Sequence, residues 1–393
     1  MKRALLLLLA LLLVSSALPA RAGITSEQQE EADAFFARLF AQKNTVGGAV
    51  IVNQNGERIY GYFHGKAGGG RAVTEDTVYK VASVTKLITA IGVMQLVEQG
   101  KVDLDAPLLD SAGSPICNPR FPDQPITLRQ AMSHTTSLIS SANYTGTPTW
   151  SGKYFDVYAP GTQYAYANLN GGILGSLIEK ISGQSLNSYM TEHVFAPLKI
   201  NASYASTLLP DPSQLSYSFN ADGTVYASSA SYLRTDEHYD DTCDPGSHFR
   251  MSVGNLYISL KGLESLGAML ANRGEYQGVR LLMPGSVYLM QMDQSTLGGS
   301  SVTGESPYGL NTFRFELDGR AWYGHQGWWS GRMADLFYEP DSRTAVVLVM
   351  NGNNRTVGAV NREVAAQMER TLQFISSWIE ANGMDITIID DGE

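Results

Sequence analysis

Strand-like patterns lie near both ends of this 393-residue chain, and helix-like patterns fill most of the region between them. Near the N-terminus, GGAVIVNQNGERIYGYFHG predicts two strands joined at Asn55-Gly56, a dipeptide typical of tight β-hairpins. From Tyr308 onward the chain contains the strand-like runs YGLNTFRFEL, RAWYGHQG, RMADLFYEP and TAVVLVMN. Strands from both ends predict one antiparallel sheet flanked by helices, with an inserted helical region, which is an α+β fold.

The middle of the chain carries apolar residues at helical spacing. The patterns predict helices near residues 84–99, 127–133, 169–182, 185–195 and 260–273, and VNREVAAQMERTLQFISSWIEA predicts a long closing helix. Ser26 and Gln29 form a capping-box pattern that predicts a first helix. We expect an α/β part from about 23–85 and 300–382, and a mainly helical insert from about 86–299.

The first residues have the pattern of a secretory signal. A basic start precedes an apolar run, and Ala20-Arg21-Ala22 is a small-x-small cleavage pattern. We expect residues 1–22 to be removed after Ala22 and residues 23–393 to form a single catalytic unit, periplasmic or secreted. No later apolar stretch has the length of a membrane span, so we expect no membrane-spanning segment.

Charge and cysteine content limit the partners of the chain. The formal net charge is -10 at pH 7, and loss of the basic signal makes it more negative, so we expect no nucleic-acid partner. Cys117 and Cys243 could pair as a disulfide in an oxidising compartment, or they could be two small buried side chains.

The segment YKVASVTKLITAIGVMQLVEQG carries the first candidate catalytic residues. Ser83 and Lys86 are one helical turn apart, so their side chains share a face if a helix begins at Ser83. Desolvation and the helix dipole both disfavour a charged lysine in this apolar first turn, which lowers its pKa. A neutral amine beside a serine hydroxyl accepts its proton. The alternative is a chance S-x-x-K match in an ordinary helix.

Two later motifs add further candidates. Tyr166 and Asn168 lie in GTQYAYANLNGGILG, where Asn168 could instead be a simple helix cap and Tyr166 a rim aromatic. His325 and Gly327 lie in YGHQGWWSGRMADLFYEP, where the glycine permits close approach of the backbone to a substrate. Trp328 and the tryptophan after it could form core or an apolar pocket wall.

The series S-x-x-K, Y-x-N and H-x-G resembles the three motifs of the penicillin-recognising serine hydrolases. The resemblance is to the branch that holds class C β-lactamases, DD-peptidases and related esterases and D-amino-acid peptidases. Flanking segments such as ITLRQAMSHTTSL and PGTQYAYANLNGGILGSLIEKISGQSL are also similar to this family. The resemblance implies a β-lactamase/transpeptidase-like fold and an enzyme without a metal or other cofactor.

The resemblance also implies catalytic roles for three residues of this chain. Ser83 would be the nucleophile that becomes acylated, and Lys86 would assist its deprotonation. Tyr166 would carry a proton to the leaving group. These side chains suit acyl transfer through a covalent serine ester.

Substrate-binding roles follow from the same resemblance. Asn168 would hold the substrate amide, and His325 would orient the tyrosine of the second motif or meet a substrate carboxylate. The backbone N–H of the nucleophilic serine and that of Trp328, the residue after Gly327, would form the oxyanion hole. The paired tryptophans would suit a hydrophobic acyl or leaving group.

One departure from the family bears on the substrate. Class C β-lactamases normally carry K-T-G where this chain has His325-Gln326-Gly327, and a histidine is mostly neutral near pH 7. We therefore expect a D-alanyl-D-alanine carboxypeptidase-like, D-amino-acid peptidase or esterase activity. The substrate would be a small molecule or peptide, such as a cell-wall peptide or a β-lactam. A class C-type β-lactamase and a penicillin-binding sensor that does not turn over are the alternatives.

Overall fold

The structure of the protein is a computed structural model. It describes residues 24–110, 112–139, 150–220, 222–245, 248–294, 308–329, 331–352 and 357–381, with side chains in the last range from residue 369 onward. The predicted signal sequence and its cleavage site lie outside these residues. In the part of the chain that is described, none of the helices combines the length and apolar character that a bilayer span requires.

Strands occur in a large sheet and in several small ones. In chain order they are β1 (Gly47–Gln54), β2 (Glu57–Gly68), β3 (Arg71–Ala72), β4 (Val78–Lys80), β5 (Ala202–Ser203), β6 (Ser218–Phe219), β7 (Val225–Ala227), β8 (Tyr257–Ser259), β9 (Glu275–Tyr276), β10 (Val279–Arg280), β11 (Phe313–Leu317), β12 (Arg320–Trp329), β13 (Arg332–Glu339) and β14 (Thr344–Asn351). The large sheet is antiparallel, with the order β11-β12-β13-β14-β1-β2-β3. The predicted sheet from both chain ends is therefore confirmed.

Helices precede the sheet, follow it and fill the middle of the chain. They are α1 (Ser26–Gln42), α2 (Val84–Glu98), α3 (Leu128–Met132), α4 (Asn168–Ser182), α5 (Leu186–Met190), α6 (Ser229–Asp236), α7 (Met251–Gly254), α8 (Leu260–Ala271), α9 (Pro284–Gln291) and α10 (Val357–Ala381). The predicted helix over 185–195 is interrupted, because residues Thr191–Phe195 form a π-helical turn after α5.

Local sequence signals explain where the first elements begin and turn. Asn55 and Gly56 have φ values of 53° and 80°, the left-handed conformation that a two-residue hairpin turn requires, so the predicted β1–β2 hairpin is confirmed. The capping box is shifted by one residue from the prediction. Thr25 and Gln28 form it, because the Gln28 side chain accepts a 2.6 Å hydrogen bond from the Thr25 N–H, and Ser26 is the first helical residue.

The large sheet has a separate hydrophobic core on each face, because successive side chains of a strand point to opposite faces. Ala49, Ile51 and Leu336 belong to the core shared with α2, α4 and α8. Val50 and Phe337, their immediate neighbours, belong to the core shared with α1 and α10. We refer to these as the inner and outer cores.

The inner core contains α2, which is buried on nearly all sides. Its residues from Val84 to Met94 are buried, including Lys86, so this helix lies between the sheet and the other helices of the inner core. The N-terminal end of α2 contacts β12, and α4 and α7 pack against its first turns. Three of these elements, α2, α4 and β12, carry the three motifs of the sequence.

Candidate active site

The first turn of α2 brings the predicted nucleophile and base together. Ser83 is the N-cap residue of α2, and its Oγ lies 3.2 Å from Lys86 Nζ. Ala82, just before it, has φ of 47°, a left-handed conformation that is uncommon for a residue with a side chain. This turn between β4 and α2 presents the serine at the helix end. The N–H groups of the next three residues donate to the carbonyl oxygens of residues 81–83, so the Ser83 N–H is the candidate donor to a negative charge.

The Lys86 amine is fully buried and has three hydrogen-bond partners. Besides Ser83 Oγ, it donates to Asn168 Oδ1 at 3.0 Å and to the Val253 carbonyl oxygen at 2.6 Å. A Cβ on Gly171 of α4 would lie 3.0 Å from Lys86 Cε, so the glycine allows α4 to pack this closely. Burial lowers the pKa of Lys86 to about 7, because the charged form loses its hydration.

The partners of Lys86 fix the direction of its lone pair. Both the Asn168 Oδ1 and the Val253 carbonyl oxygen accept hydrogen bonds and cannot donate them. A neutral amine has two N–H groups, which these two acceptors occupy. The remaining lone pair then faces Ser83 Oγ, which is the arrangement a general base requires.

Tyr166 and Asn168 lie at the start of α4, as the second motif predicts. Ala167 is the N-cap residue and Asn168 is the first helical residue, so the asparagine does not cap α4 and instead contacts the lysine amine. The Tyr166 ring is half-buried, and its centroid lies 5.2 Å from Lys86 Nζ. The structure thus brings Ser83, Lys86, Tyr166 and Asn168 together.

Gly327 allows β12 to approach the serine. A Cβ at this position would lie 2.1 Å from the Val81 carbonyl oxygen and 3.1 Å from the Ser83 backbone nitrogen. Both distances are shorter than normal contacts, so only glycine fits. The strand β12 therefore runs directly past the first turn of α2. Trp328 is the next residue of the strand.

His325 is buried and electrically neutral, and both of its ring nitrogens have polar contacts. Its Nδ1 lies 2.6 Å from the Gln326 carbonyl oxygen, and its Nε2 lies 3.2 Å from the Tyr308 hydroxyl. The centroids of the His325 and Tyr166 rings are 6.2 Å apart. Burial, with the nearby Lys86, lowers the pKa of His325 to about 3. Its Nε2 contacts Tyr308, and its role in orienting Tyr166 or meeting a substrate carboxylate stays a prediction.

Gln326 and Trp328, on either side of Gly327, lie on the outer-core face of the sheet. Trp328 packs there with Trp322, so by strand alternation Gln326, between them, lies on the same face. Trp329, the other member of the pair, is 44% exposed with its ring centroid 5.0 Å from Lys80 Nζ, and its place beside a substrate stays a prediction. The Trp328 side chain packs in the outer core, and the oxyanion role of its backbone N–H stays a prediction.

The possible disulfide is absent. Cys117 and Cys243 are both free thiols, and Cys243 Sγ lies 3.6 Å from the Glu179 carbonyl oxygen at the end of α4. The two cysteines lie on separate loops. The backbone of Cys117 pairs with that of Pro125 in an isolated β-bridge.

Sequence reasoning missed His134 as a residue of the site. It lies just after α3, its ring stacks on Tyr166 with centroids 4.2 Å apart, and it is fully buried. The signal was present in the segment MSHTTSL, but a lone histidine gives no sign of its partner when that partner lies far along the chain. Tyr308 was missed for the same reason.

Comparison with known proteins gives one family match over most of the chain. A family model described as Beta-lactamase matches residues 32–368. The chain is 26% identical over 334 residues to penicillin-binding protein 4 of Amycolatopsis lactamdurans, covering 82% of this chain and 84% of that protein. It is 31% identical over 193 residues to esterase EstB of Burkholderia gladioli, covering 42% of this chain and 48% of that protein.

Among solved structures, the fold is similar to the D-amino acid amidase of Ochrobactrum anthropi SV3 in complex with L-phenylalanine amide. The TM-score is 0.68 at 18% identity, and the match covers 90% of this chain and 99% of the amidase. At this identity the match establishes the common fold only. It agrees with the β-lactamase/transpeptidase-like architecture expected from the motifs.

Proposed function

Because the chain belongs to the Beta-lactamase family, which is made up of serine hydrolases, we propose that it hydrolyses its substrate through a covalent acyl ester on Ser83. The observation that carries the proposal is the buried Lys86 amine, 3.2 Å from Ser83 Oγ, with its other two donors held by Asn168 and Val253. A lysine amine that acts as the base needs neither a metal nor a carboxylate to activate the serine.

In the acylation step, the Ser83 hydroxyl gives its proton to Lys86 Nζ while Oγ bonds to the substrate acyl carbon. The negative charge that develops on the acyl oxygen is stabilised by the backbone N–H groups of Ser83 and Trp328. The bond to the leaving group then breaks as the Tyr166 hydroxyl donates a proton to it, and Tyr166 regains a proton from Lys86. Water repeats these transfers in reverse to release the acid and regenerate Ser83.

The substrate class follows from the absence of a cation in the third motif. His325 is neutral because its pKa is about 3, so this position offers no charge to the carboxylate of a β-lactam. The exposed Trp329 ring, two residues after Gly327 on β12, favours an apolar group. We propose an amide of a D-amino acid or a small ester, and next to these a D-alanyl-D-alanine carboxypeptidase-like reaction, whose peptide substrate also carries a carboxylate that His325 would meet without a charge. The D-amino acid amidase and the esterase relatives are consistent with this choice.

A substrate panel tests the proposal. Nitrocefin, a D-Ala-D-Ala peptide, D-amino-acid p-nitroanilides and p-nitrophenyl esters would be offered to the wild-type chain. We expect turnover of the D-amino-acid compounds or esters and slow hydrolysis of nitrocefin. Rapid nitrocefin turnover would instead identify a class C-type β-lactamase. A lasting penicillin adduct on Ser83 without turnover of any compound would identify a sensor.

Labelling by a fluorophosphonate probe tests the nucleophile itself. The wild-type chain should be labelled, and Ser83→Ala should not be, because the probe reacts with an activated serine. Intact mass before and after labelling measures the result. Ser137→Ala is a matched control: Ser137 is a buried serine that accepts a hydrogen bond from Asn118 and should leave labelling unchanged. Labelling of the Ser83→Ala variant would place the nucleophile elsewhere.

We further propose that the protein is exported, on the signal pattern of residues 1–22. An enzyme outside the cytoplasm would meet the D-amino-acid peptides of a cell wall. Expression with the native N-terminus followed by N-terminal sequencing tests this. A mature chain that begins at Gly23 would support export, and retention of the full N-terminus in the cytoplasm would contradict it.

A further inference from the structure

His134 holds the backbone on both sides of Tyr166. Its carbonyl oxygen accepts a hydrogen bond from the Ala165 N–H at 2.9 Å, and its Nδ1 accepts one from the Ala167 N–H at 3.1 Å. Between these two contacts its ring stacks on the Tyr166 ring, with centroids 4.2 Å apart and planes 24° apart. One residue thus fixes the segment before the tyrosine, the segment after it and the plane of its ring.

The hydrogen bonds also define which ring nitrogen of His134 carries the proton. A backbone N–H can only donate, so Nδ1 is unprotonated and the proton is on Nε2. Asn170 Nδ2 lies 3.0 Å from the same Nδ1, and Asn170 Oδ1 accepts from the Thr136 hydroxyl at 2.9 Å. These two contacts orient the amide so that it also donates to Nδ1. Buried side chains therefore hold the ring in a single tautomer.

The environment keeps His134 uncharged. Burial holds the pKa of His134 well below its ordinary value, and a proton on the nearby Lys86 acts in the same direction. A protonated ring would have to break its bond to the Ala167 N–H and would repel a proton on Lys86. The ring is also held on a strained backbone, since His134 has φ of 56°, in the left-handed region. The surrounding contacts maintain a conformation that the residue adopts at a cost.

We propose that His134 is a positioning residue: its backbone, ring nitrogen and ring face together hold Tyr166 where its hydroxyl reaches the leaving group of the substrate. This inference rests on the proposed function of the site. His134 does not touch the reacting atoms and acts through Tyr166. Its loss therefore slows the step in which the leaving group is protonated, and slows it most for leaving groups that need a proton.

Two variants separate the contacts of His134. His134→Asn keeps a hydrogen-bond acceptor near the Nδ1 position and removes the stacked ring, and asparagine tolerates the left-handed φ. His134→Phe keeps a ring and removes the acceptor. Each is measured alone and combined with Tyr166→Phe, on a D-amino-acid p-nitroanilide and on a p-nitrophenyl ester with the same acyl group. The anilide has the poorer leaving group.

We expect both variants to lower kcat for the anilide at least about tenfold more than kcat for the ester, since misplacing a proton donor costs about this much or more. In the Tyr166→Phe background the His134 substitutions should cause no further loss. His248→Asn is the matched control, because His248 is also a buried histidine but contacts Glu179 at the far end of α4. It should leave the ratio of anilide to ester rates unchanged.

Equal losses on both substrates, or a full loss that persists in the Tyr166→Phe background, would show a general structural role and overturn the inference. If one variant does not fold, thermal unfolding reveals it and the other variant carries the test. Nitrogen NMR of the wild-type side chain gives an independent readout, with Nδ1 unprotonated throughout from about pH 5 to 9. A protonated Nδ1 would overturn the inference even if the chain turned over no substrate, whereas absence of turnover alone would count only against the proposed function.

Discussion

At the scale of single residues, the site depends on the protonation of Lys86. Its pKa of about 7 means that the neutral, reactive form is populated above neutral pH and lost below it. We expect kcat/KM to rise with pH along a limb centred near pH 7, as measured with a p-nitrophenyl ester at constant ionic strength. Lys86→Arg should lower kcat by about 100- to 10,000-fold, because an arginine does not give up its proton.

The other titrating residues of the site provide the control for this prediction. His325 has its pKa near 3, and His134 lies well below its ordinary value, so neither produces a limb near neutrality. The rising limb of the kcat/KM pH profile should therefore be centred at the same pH in His325→Gln, even if kcat/KM itself is lower. A limb found only near pH 10 would mean that Lys86 keeps the pKa of a free lysine and is not the base.

At the scale of elements, the contact between β12 and α2 depends on one missing side chain. Gly327→Ala would place a methyl group 2.1 Å from the Val81 carbonyl oxygen and 3.1 Å from the Ser83 nitrogen. We expect the strand to move away from α2, with kcat lowered by about 100- to 1,000-fold, as for loss of one oxyanion donor, and stability lowered by about 1–3 kcal/mol. Ester hydrolysis and denaturant unfolding measure the two effects.

Gly324 on the same strand offers a matched control. A Cβ there would lie 2.0 Å from the Leu336 carbonyl oxygen, so Gly324→Ala should also lower stability, but the clash is with β13. Its folded fraction should retain much more activity than the Gly327→Ala variant. Similar activity in the two variants at equal folded fraction would show that close approach to Ser83 is not required.

At the scale of the whole molecule, the insert depends on a buried ion pair. His248 Nδ1 lies 2.8 Å from Glu179 Oε1, which also accepts from the Leu186 N–H at 2.7 Å. The bond to Glu179 raises the pKa of His248, although burial opposes the shift, and Asp240 lies 3.7 Å from the other ring nitrogen. The pair ties the loop before α7 to the end of α4. Its loss should therefore lower the stability of the fold at a distance from Ser83.

The sign of the pH effect on this pair is determined by the raised pKa of His248. The folded state holds the proton more tightly than the unfolded state, so this stabilisation is complete below about pH 6.5 and is lost as the pH rises through the folded-state pKa. His248→Asn should lower the free energy of unfolding by about 2–4 kcal/mol at pH 6 and flatten its pH dependence in this range. Urea unfolding at several pH values measures it, and an unchanged slope in the variant would contradict the prediction.

Local patterns predicted the parts of the site that depend on local geometry. Ser83 and Lys86 meet because one helical turn separates them, and the Asn55-Gly56 hairpin follows from the φ values that its residues favour. Contacts between distant segments were beyond such patterns. His134 contacts Tyr166 only because α3 packs against α4, and no periodicity encodes that packing.

The tryptophan pair illustrates a second limit of sequence reasoning. Trp328 and Trp329 are adjacent, so strand alternation sends them to opposite sides of the sheet, but the face of each is settled only by what packs against it. The same holds for Gln326, which lies on the outer face even though it stands in a motif that reads as part of the site. Adjacent residues in a motif need not serve the same purpose.

The topology of the large sheet has a consequence for the order in which the parts of the site come together. The serine and the lysine belong to a helix that precedes β12 to β14 in the chain, so these strands are synthesised after it. Gly327 can approach Ser83 only once β14 has paired with β1 and β12 with β13. The proposed site is therefore complete only when the large sheet is complete.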